Sequence, residues 1–385
     1  MPARPTMNQR KAVYLSPVVY PAEKPRPATE VRAQQNLTAL RSLGYETTVI
    51  TAPDPQQRII DADKVVWVEP FPLDVFVKVH LRRSYFRRVA RIVRQELTES
   101  STLLFCEHWH ALLCSPRHSR LVYSCHDLES ELMRWRRLRK STGITLKTRL
   151  YWKLASWLEW RLLRRAKRAI CVSASEAKKI HNRLRIPVEY IPTVGELPAL
   201  PLSFMGQLGA TTRFWFYGGS GATSNKIMLD HLAGGLFDLL QANMPGAEFH
   251  QLGAYQTYDA DKIEWLHRHF TIHGFVDDLA QVFQRGDFCL IPYQHDTGFR
   301  TKIPEVCGYG VICAGYPVTF ACCPEMRDGY NCVIADTPAA LAEKLARVAR
   351  DDAARERLAA GAIETRQKDF SFTTLLERYR HILDF

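Results

Sequence analysis

Short apolar runs alternate with helical stretches along this chain, and the pattern occurs twice, which limits the available folds severely. Strand-like runs lie at Lys11–Ser16, Tyr45–Ile50, Val65–Val68, Leu103–Cys106, Leu121–Ser124 and Ala169–Val172, with helical segments between them. Such alternation predicts a parallel, doubly wound sheet. A proline-rich loop, Pro17–Pro27, precedes a helix over Ala28–Leu43 that stops at Gly44, as a helix C-terminus should. Prolines and glycines over residues 186–213 mark a linker, and the pattern then restarts. Phe214–Tyr217 predicts a strand, followed by a glycine turn and a helix running through Leu240. Further strands are expected at Glu248–Leu252, Phe270–Ile272, Phe288–Ile291 and Val311–Ala314, and helices at Ala339–Arg350 and Asp352–Arg366. A chain of 385 residues suits two domains, 1–200 and 201–371.

Hydrophobic content of 46% and charged content of 24% are those of a soluble globular protein. No run of 18 apolar residues occurs, and the apolar stretch near the N-terminus is too short for a secretory signal. Ten cysteines without CxxC spacing suit a reduced, cytoplasmic compartment. Cys106, His108, His110 and Cys114 lack a second ligand pair, so packing is the expected role and no metal is expected. Residues 1–200 hold 35 Lys and Arg against 18 Asp and Glu, while the remainder holds 17 against 22. A basic first half favours an anionic partner: nucleic acid, a membrane face or a phosphorylated acceptor.

Doubly wound sheets bind ligands at the carboxyl ends of their strands, so two such domains predict a cleft between those ends. The segment Phe288–Gly310 ends a strand at Tyr293 and opens into a loop with Gly298, Arg300 and Lys302, ahead of a helix bearing Glu305. Glycine permits close backbone approach, the cations and helix N–H groups neutralise a diphosphate, and Glu305 can accept from both ribose hydroxyls. The plainer alternative is a solvated loop with a surface salt bridge.

The run Ile272–Cys313 resembles the donor-binding core of glycosyltransferase family four, whose two-domain architecture is called GT-B. The family's elements stand here as Gly274–Asp278 with Phe275, Gly286–Asp287, Pro292, and Gly298 through Glu305 with Phe299 and Thr301. Gly218, Gly219 and Asn225 resemble the glycine turn that opens the second domain, and Ala169–Glu176 resembles the strand and S-x-x-E near the end of the first. The first of the family's two glutamates spaced E-x7-E is replaced by Thr297, and the G-x-P-V element lacks its proline. The resemblance implies two Rossmann-like domains facing across a cleft and a nucleotide-sugar donor, UDP- or GDP-linked, held by Gly218, Gly219, Asn225, Phe275, Tyr293, Gly298, Phe299, Arg300, Thr301, Lys302 and Glu305. It also implies that the last helix, within 372–385, returns to the first domain.

In some relatives an Asp at the end of the strand Leu121–Ser124 serves as general base, which implies that role for Asp127, with His126 orienting or substituting for it. Capping of the next helix is the alternative for Asp127. Between Met133 and Arg168 lie Arg134, Arg136, Arg137, Arg139 and Lys140, then Tyr151, Trp152, Trp157 and Trp160 among further arginines. Leu150, Leu154, Trp157, Leu158 and Leu162 recur at helical spacing, interrupted by Arg161 and Arg165. Arg82–Arg94 forms a second basic cluster. Tryptophan with arginine suits an anionic membrane surface, whereas two solvated helices are the bland alternative. The D-x-D pairs Asp61–Asp63 and Asp259–Asp261 lie in polar segments and are discounted as metal ligands. The expectation is a metal-independent glycosyltransferase at the inner face of the cell membrane, acting on a saccharide or lipid-linked acceptor of the kind used in bacterial surface polysaccharide assembly. The rivals are an epimerase of the same fold and a basic nucleic-acid-binding protein.

Overall fold

Residues that cannot leave the interior set the two sheets: the central strands are buried end to end, and a strand buried on both faces needs helices on both sides. The computed structural model describes residues 10–21, 28–54, 56, 58–71, 82–133, 146–195 and 208–385. The chain divides into two units, one comprising residues 1–195, 297–299 and 372–385, the other 196–296 and 300–371.

The first unit runs β1 (Arg10–Ser16), α1 (Ala28–Ser42), β2 (Tyr45–Thr51), β3 (Lys64–Trp67), α2 (Arg83–Glu96), β4 (Leu103–Glu107), α3 (His108–Cys114), β5 (Leu121–Cys125), α4 (Leu146–Leu163), β6 (Arg168–Cys171), α5 (Ala174–Leu184) and β7 (Val188–Tyr190). Its seven strands lie in the order β3-β2-β1-β4-β5-β6-β7, each described pairing parallel. Strand order reverses between β1 and β4, where parallel sheets of this kind open for ligands.

The second unit holds β8 (Arg213–Tyr217), α6 (Thr223–His231), α7 (Phe237–Asn243), β9 (Glu248–Leu252), α8 (Ala260–His269), β10 (Thr271–Gly274), β11 (Phe288–Ile291), α9 (Lys302–Gly308), β12 (Ile312–Gly315), α10 (Pro317–Phe320), β13 (Cys332–Ile334), α11 (Pro338–Ala349) and α12 (Asp352–Lys368). Its sheet has the order β10-β9-β8-β11-β12-β13, again parallel, with the reversal between β8 and β11. The last helix, α13 (Phe372–Leu383), packs on α1, β6 and β7 of the first unit.

Three details differ from the sequence expectation. Strand β7 lies inside the expected linker, of which residues 196–207 fall outside the described residues, as does Arg134–Lys140 of the basic stretch. Strand β13 had no signal. The single helix expected through Leu240 is two, joined by a wide turn at Leu232–Leu236, because Gly235 takes φ +124° and interrupts the helical ladder. The ten cysteines are all buried and unbridged. Among the described residues no helix is long and apolar enough to cross a membrane.

Helix α12 lies against α9. On the side toward the segment before β13, Gly361 allows a close approach, since a Cβ there would fall onto the Tyr330 carbonyl. Gly361→Ala is expected to cost about 1–3 kcal/mol through overpacking. Gly246→Ala, where a Cβ meets nothing within 4 Å, stays within about 0.5 kcal/mol of wild type. Urea unfolding of both variants checks this.

Candidate active site

In the second unit the reversal between β8 and β11 gathers a compact polar group. Tyr217 is the last residue of β8, Asn225 sits in α6, and Lys302 and Glu305 lie one helical turn apart at the start of α9. Tyr217 donates its hydroxyl to Glu305 Oε2 at 2.7 Å. Lys302 Nζ donates to the Tyr217 carbonyl and to Asn225 Oδ1 at 3.1 Å. Asn225 Nδ2 in turn donates to the Gly219 carbonyl at 2.8 Å, which closes the glycine turn. Gly218 takes φ +140°, and a Cβ there would collide with the Asn225 amide, so both conformation and space require glycine.

Desolvation sets the electrostatics of this group. It pushes the Lys302 ammonium down to about 8, and the neighbouring Arg300 acts the same way. It also raises Glu305, against the Tyr217 hydroxyl and the charges of Lys302 and Arg366. Arg300 lies over the Tyr293 ring at 3.8 Å, a stack that holds the guanidinium two residues from Lys302. Tyr293 is itself held, because Thr319 Oγ1 donates to its carbonyl at 2.7 Å.

The expected donor residues therefore fall into three sets. Gly218, Gly219, Asn225, Lys302 and Glu305 are brought together, with the Arg300–Tyr293 stack beside them and Thr301 preceding α9. Phe275 stands apart at the edge strand β10 and is 70% exposed. Gly298 and Phe299 belong with the first unit, where a Cβ on Gly298 would fall onto the Asp127 carboxylate. Two residues of the resemblance serve the frame. Asp287 is buried and accepts from Arg213, from Trp215 Nε1 and from the Gln284 N–H, and Asp278 caps the short turn at Leu279. Tyr217 was not expected as a site residue; its place as the last strand residue before the glycine turn was the available signal.

In the first unit, Asp127 and His126 follow β5 at the carboxyl edge of the sheet. The N–H groups opening the next helix are taken by other acids: Leu128 N donates to Glu176 Oε1 at 3.0 Å and Glu129 N to Glu159 Oε1 at 2.7 Å. Glu176 is fully buried, and desolvation, with the Asp127 charge second, holds its pKa well above the carboxylate range. His126 is buried, and its Nε2 meets Glu107 Oε1. Glu107 also accepts from Tyr14, from Asn36 Nδ2 at 2.7 Å and from Ser124 Oγ at 2.9 Å. None of these partners was anticipated, although a carboxylate closing an apolar strand and the polar residues on the buried face of α1 were visible signs.

His108 and His110 approach through Nδ1 at 2.6 Å, and desolvation keeps both below the usual histidine range. No cluster of metal-ligating side chains occurs among the described residues. Asp61 and Asp63 pair with Arg41, and Asp259 precedes α8.

The sequence from 29 to 194 matches the model described as Glycosyltransferase Family 4, and that from 213 to 351 matches the one described as Glycosyl transferases group 1. No curated protein matches the sequence. Sucrose-phosphate synthase from Thermosynechococcus elongatus shares the fold at 14% identity and a TM-score of 0.65, over 97% of this chain and 98% of that one. HepE from Anabaena, solved with UDP and glucose, shares it at 14% identity and a TM-score of 0.64, over 97% and 99%. WaaG, a glycosyltransferase involved in lipopolysaccharide biosynthesis, does so at 10% identity and a TM-score of 0.61, over 97% and 99%.

The depressed Lys302 has a consequence for stability. Between about pH 8 and its ordinary value of 10.5, the unfolded chain keeps a proton that the folded chain has released, so raising the pH favours the folded state. Wild type is expected to gain on Lys302→Met over that window, by at most about 1.4 kcal/mol per pH unit. Denaturant titrations at pH 7, 8, 9 and 10 read the difference.

Proposed function

Because the chain belongs to glycosyltransferase family four and has the GT-B fold, we propose that it moves a sugar from a nucleotide diphosphate-sugar to a saccharide acceptor without metal. The observation that carries the donor assignment is the Lys302–Glu305 pair held by Tyr217 at the reversal of the second sheet. Tyr217 engages Glu305 by Oε2 and leaves Oε1 to accept from ribose. Lys302 and Arg300 bring two positive charges within two residues, enough to offset charge building on a diphosphate leaving group. HepE, bound to UDP and glucose, supports a uridine donor. In the first unit, Asp127 takes the proton of the acceptor hydroxyl, and the basic surface there favours an acidic or lipid-linked acceptor.

A titration with UDP, GDP, ADP and their sugars, followed by calorimetry without metal, tests the donor reading. One nucleotide diphosphate is expected to bind saturably and to bind at least ten-fold more weakly to Glu305→Ala, the loss of a charged hydrogen bond being about 1.5–3 kcal/mol. Failure of every nucleotide to bind would sink the donor assignment.

Helix α4 supports an anionic membrane as a partner. Leu150, Leu154 and Trp157 are 68%, 59% and 55% exposed and share one helical face with exposed Lys153, Arg161 and Arg164. Arg161 lies over the Trp157 ring at 5.2 Å. The only acid of the helix, Glu159, is buried. Trp160 and Leu162 face inward instead, and Arg165 turns in to donate to the Leu112 carbonyl at 2.7 Å, so the interruption in the stripe is a structural bond. Apolar side chains ringed by cations suit lipid headgroups at the cytoplasmic face. Flotation with vesicles containing phosphatidylglycerol is expected to show binding that falls about ten-fold in Leu154→Glu and Trp157→Glu, while nucleotide binding persists. Equal flotation by wild type and both variants would remove the membrane from the reading.

A further inference from the structure

His126 and Glu107 form a pair whose geometry says more than that both are buried. Glu107 ends β4 with no exposed surface worth the name, 1% of its maximum. Four donors from separate elements converge on its two oxygens. Tyr14 of β1 and Asn36 of α1 reach Oε2, while Ser124 of β5 and His126 beyond it reach Oε1. Burial works to raise the Glu107 pKa, but His126, Tyr14 and the Arg32 charge outweigh it and hold the group below its ordinary value. An ionised carboxylate only accepts, so the His126 nitrogen that meets it must carry hydrogen. The Asn36 amide has no freedom to reverse the arrangement, because its Oδ1 is engaged by the Tyr379 hydroxyl of α13. Among the described residues no hydrogen bond engages the other ring nitrogen, Nδ1. The His108 ring packs edge-on against His126 at 5.4 Å.

We propose that Glu107 is a positioning residue for His126: it holds the ring as the Nε2–H tautomer, so that Nδ1 accepts the hydrogen bond of the acceptor hydroxyl. Two nitrogens that are chemically alike in solution become different here, since one is committed to the interior and the other is kept as an acceptor. Asp127, the next residue, is then presented with a hydroxyl whose orientation His126 sets. This inference rests on the glycosyl-transfer reading, and it assigns the recognition of the acceptor hydroxyl within that reading.

Long-range proton–nitrogen correlation spectra of the full-length wild-type chain, with the His126 signals assigned by loss in His126→Gln, read the tautomer without any substrate. The neutral ring is expected in the Nε2–H form. Finding the Nδ1–H form overturns the proposal, whatever the nucleotide titrations show. In Glu107→Gln the ring is expected to lose its single tautomer. The KM for the acceptor should rise at least ten-fold while the KM for the donor stays within two-fold. A parallel loss of both constants, with the tautomer unchanged, would mark Glu107 as structural only and overturn the proposal. Because the wild-type spectrum alone decides the tautomer, a variant that fails to fold does not protect the idea.

Discussion

A carboxylate placed at the carboxyl edge of a parallel sheet, away from water, has to be given donors by everything around it. Glu107 is that group in the first unit. Its two oxygens draw in β1, α1 and β5, and through Asn36 and Gln35 the same network reaches Tyr379 of α13. Gln35 extends it to the Pro192 carbonyl and the Val194 N–H, and Arg32 binds the Ile191 carbonyl at 2.8 Å. Helix α1 therefore buries Arg32, Gln35 and Asn36 where an ordinary amphipathic helix would bury leucines. Satisfying one charge dictates where one helix lies and how the last helix and the segment after β7 attach. A half-satisfied network of this kind would cost more than an apolar core.

The second unit solves the opposite problem. Lys302 is the buried cation at its sheet reversal, and among the described residues two neutral acceptors, a backbone carbonyl and an amide oxygen, meet its ammonium. Four donors keep Glu107 charged; two neutral acceptors leave Lys302 poised near 8. Burial acts against both charges, and at Glu107 it is outweighed by His126, Tyr14 and the Arg32 charge, whereas at Lys302 the Arg300 charge adds to it. A cation under-compensated in this way gains most when an anion arrives.

The fold was largely legible. A central strand such as Phe288–Ile291 is buried on both faces and reads as an unbroken apolar run. The strands that escaped, Val188–Tyr190 and Cys332–Ile334, are three residues long and lie at sheet edges, too short to show a period. The glycine turn at Gly218 and the Lys302–Glu305 spacing were legible because each is a local requirement, met within a few residues. The aromatic stripe of α4 was misleading in part, since Trp160 and Trp157 differ by less than one turn yet face the core and the solvent respectively.

By itself, then, the sequence determined what short-range physics can determine: the alternation of strand and helix, the turns that need glycine, the charge of each half, and which acid and lysine share a helix. Tertiary structure alone decided the company those residues keep. Tyr14 meets Glu107 across 93 residues and Tyr379 meets Asn36 across 343, contacts that exist because β1 lies beside β4 and α13 packs on α1. Periodicity carries no information about strand order, and strand order chooses the partners of a buried charge.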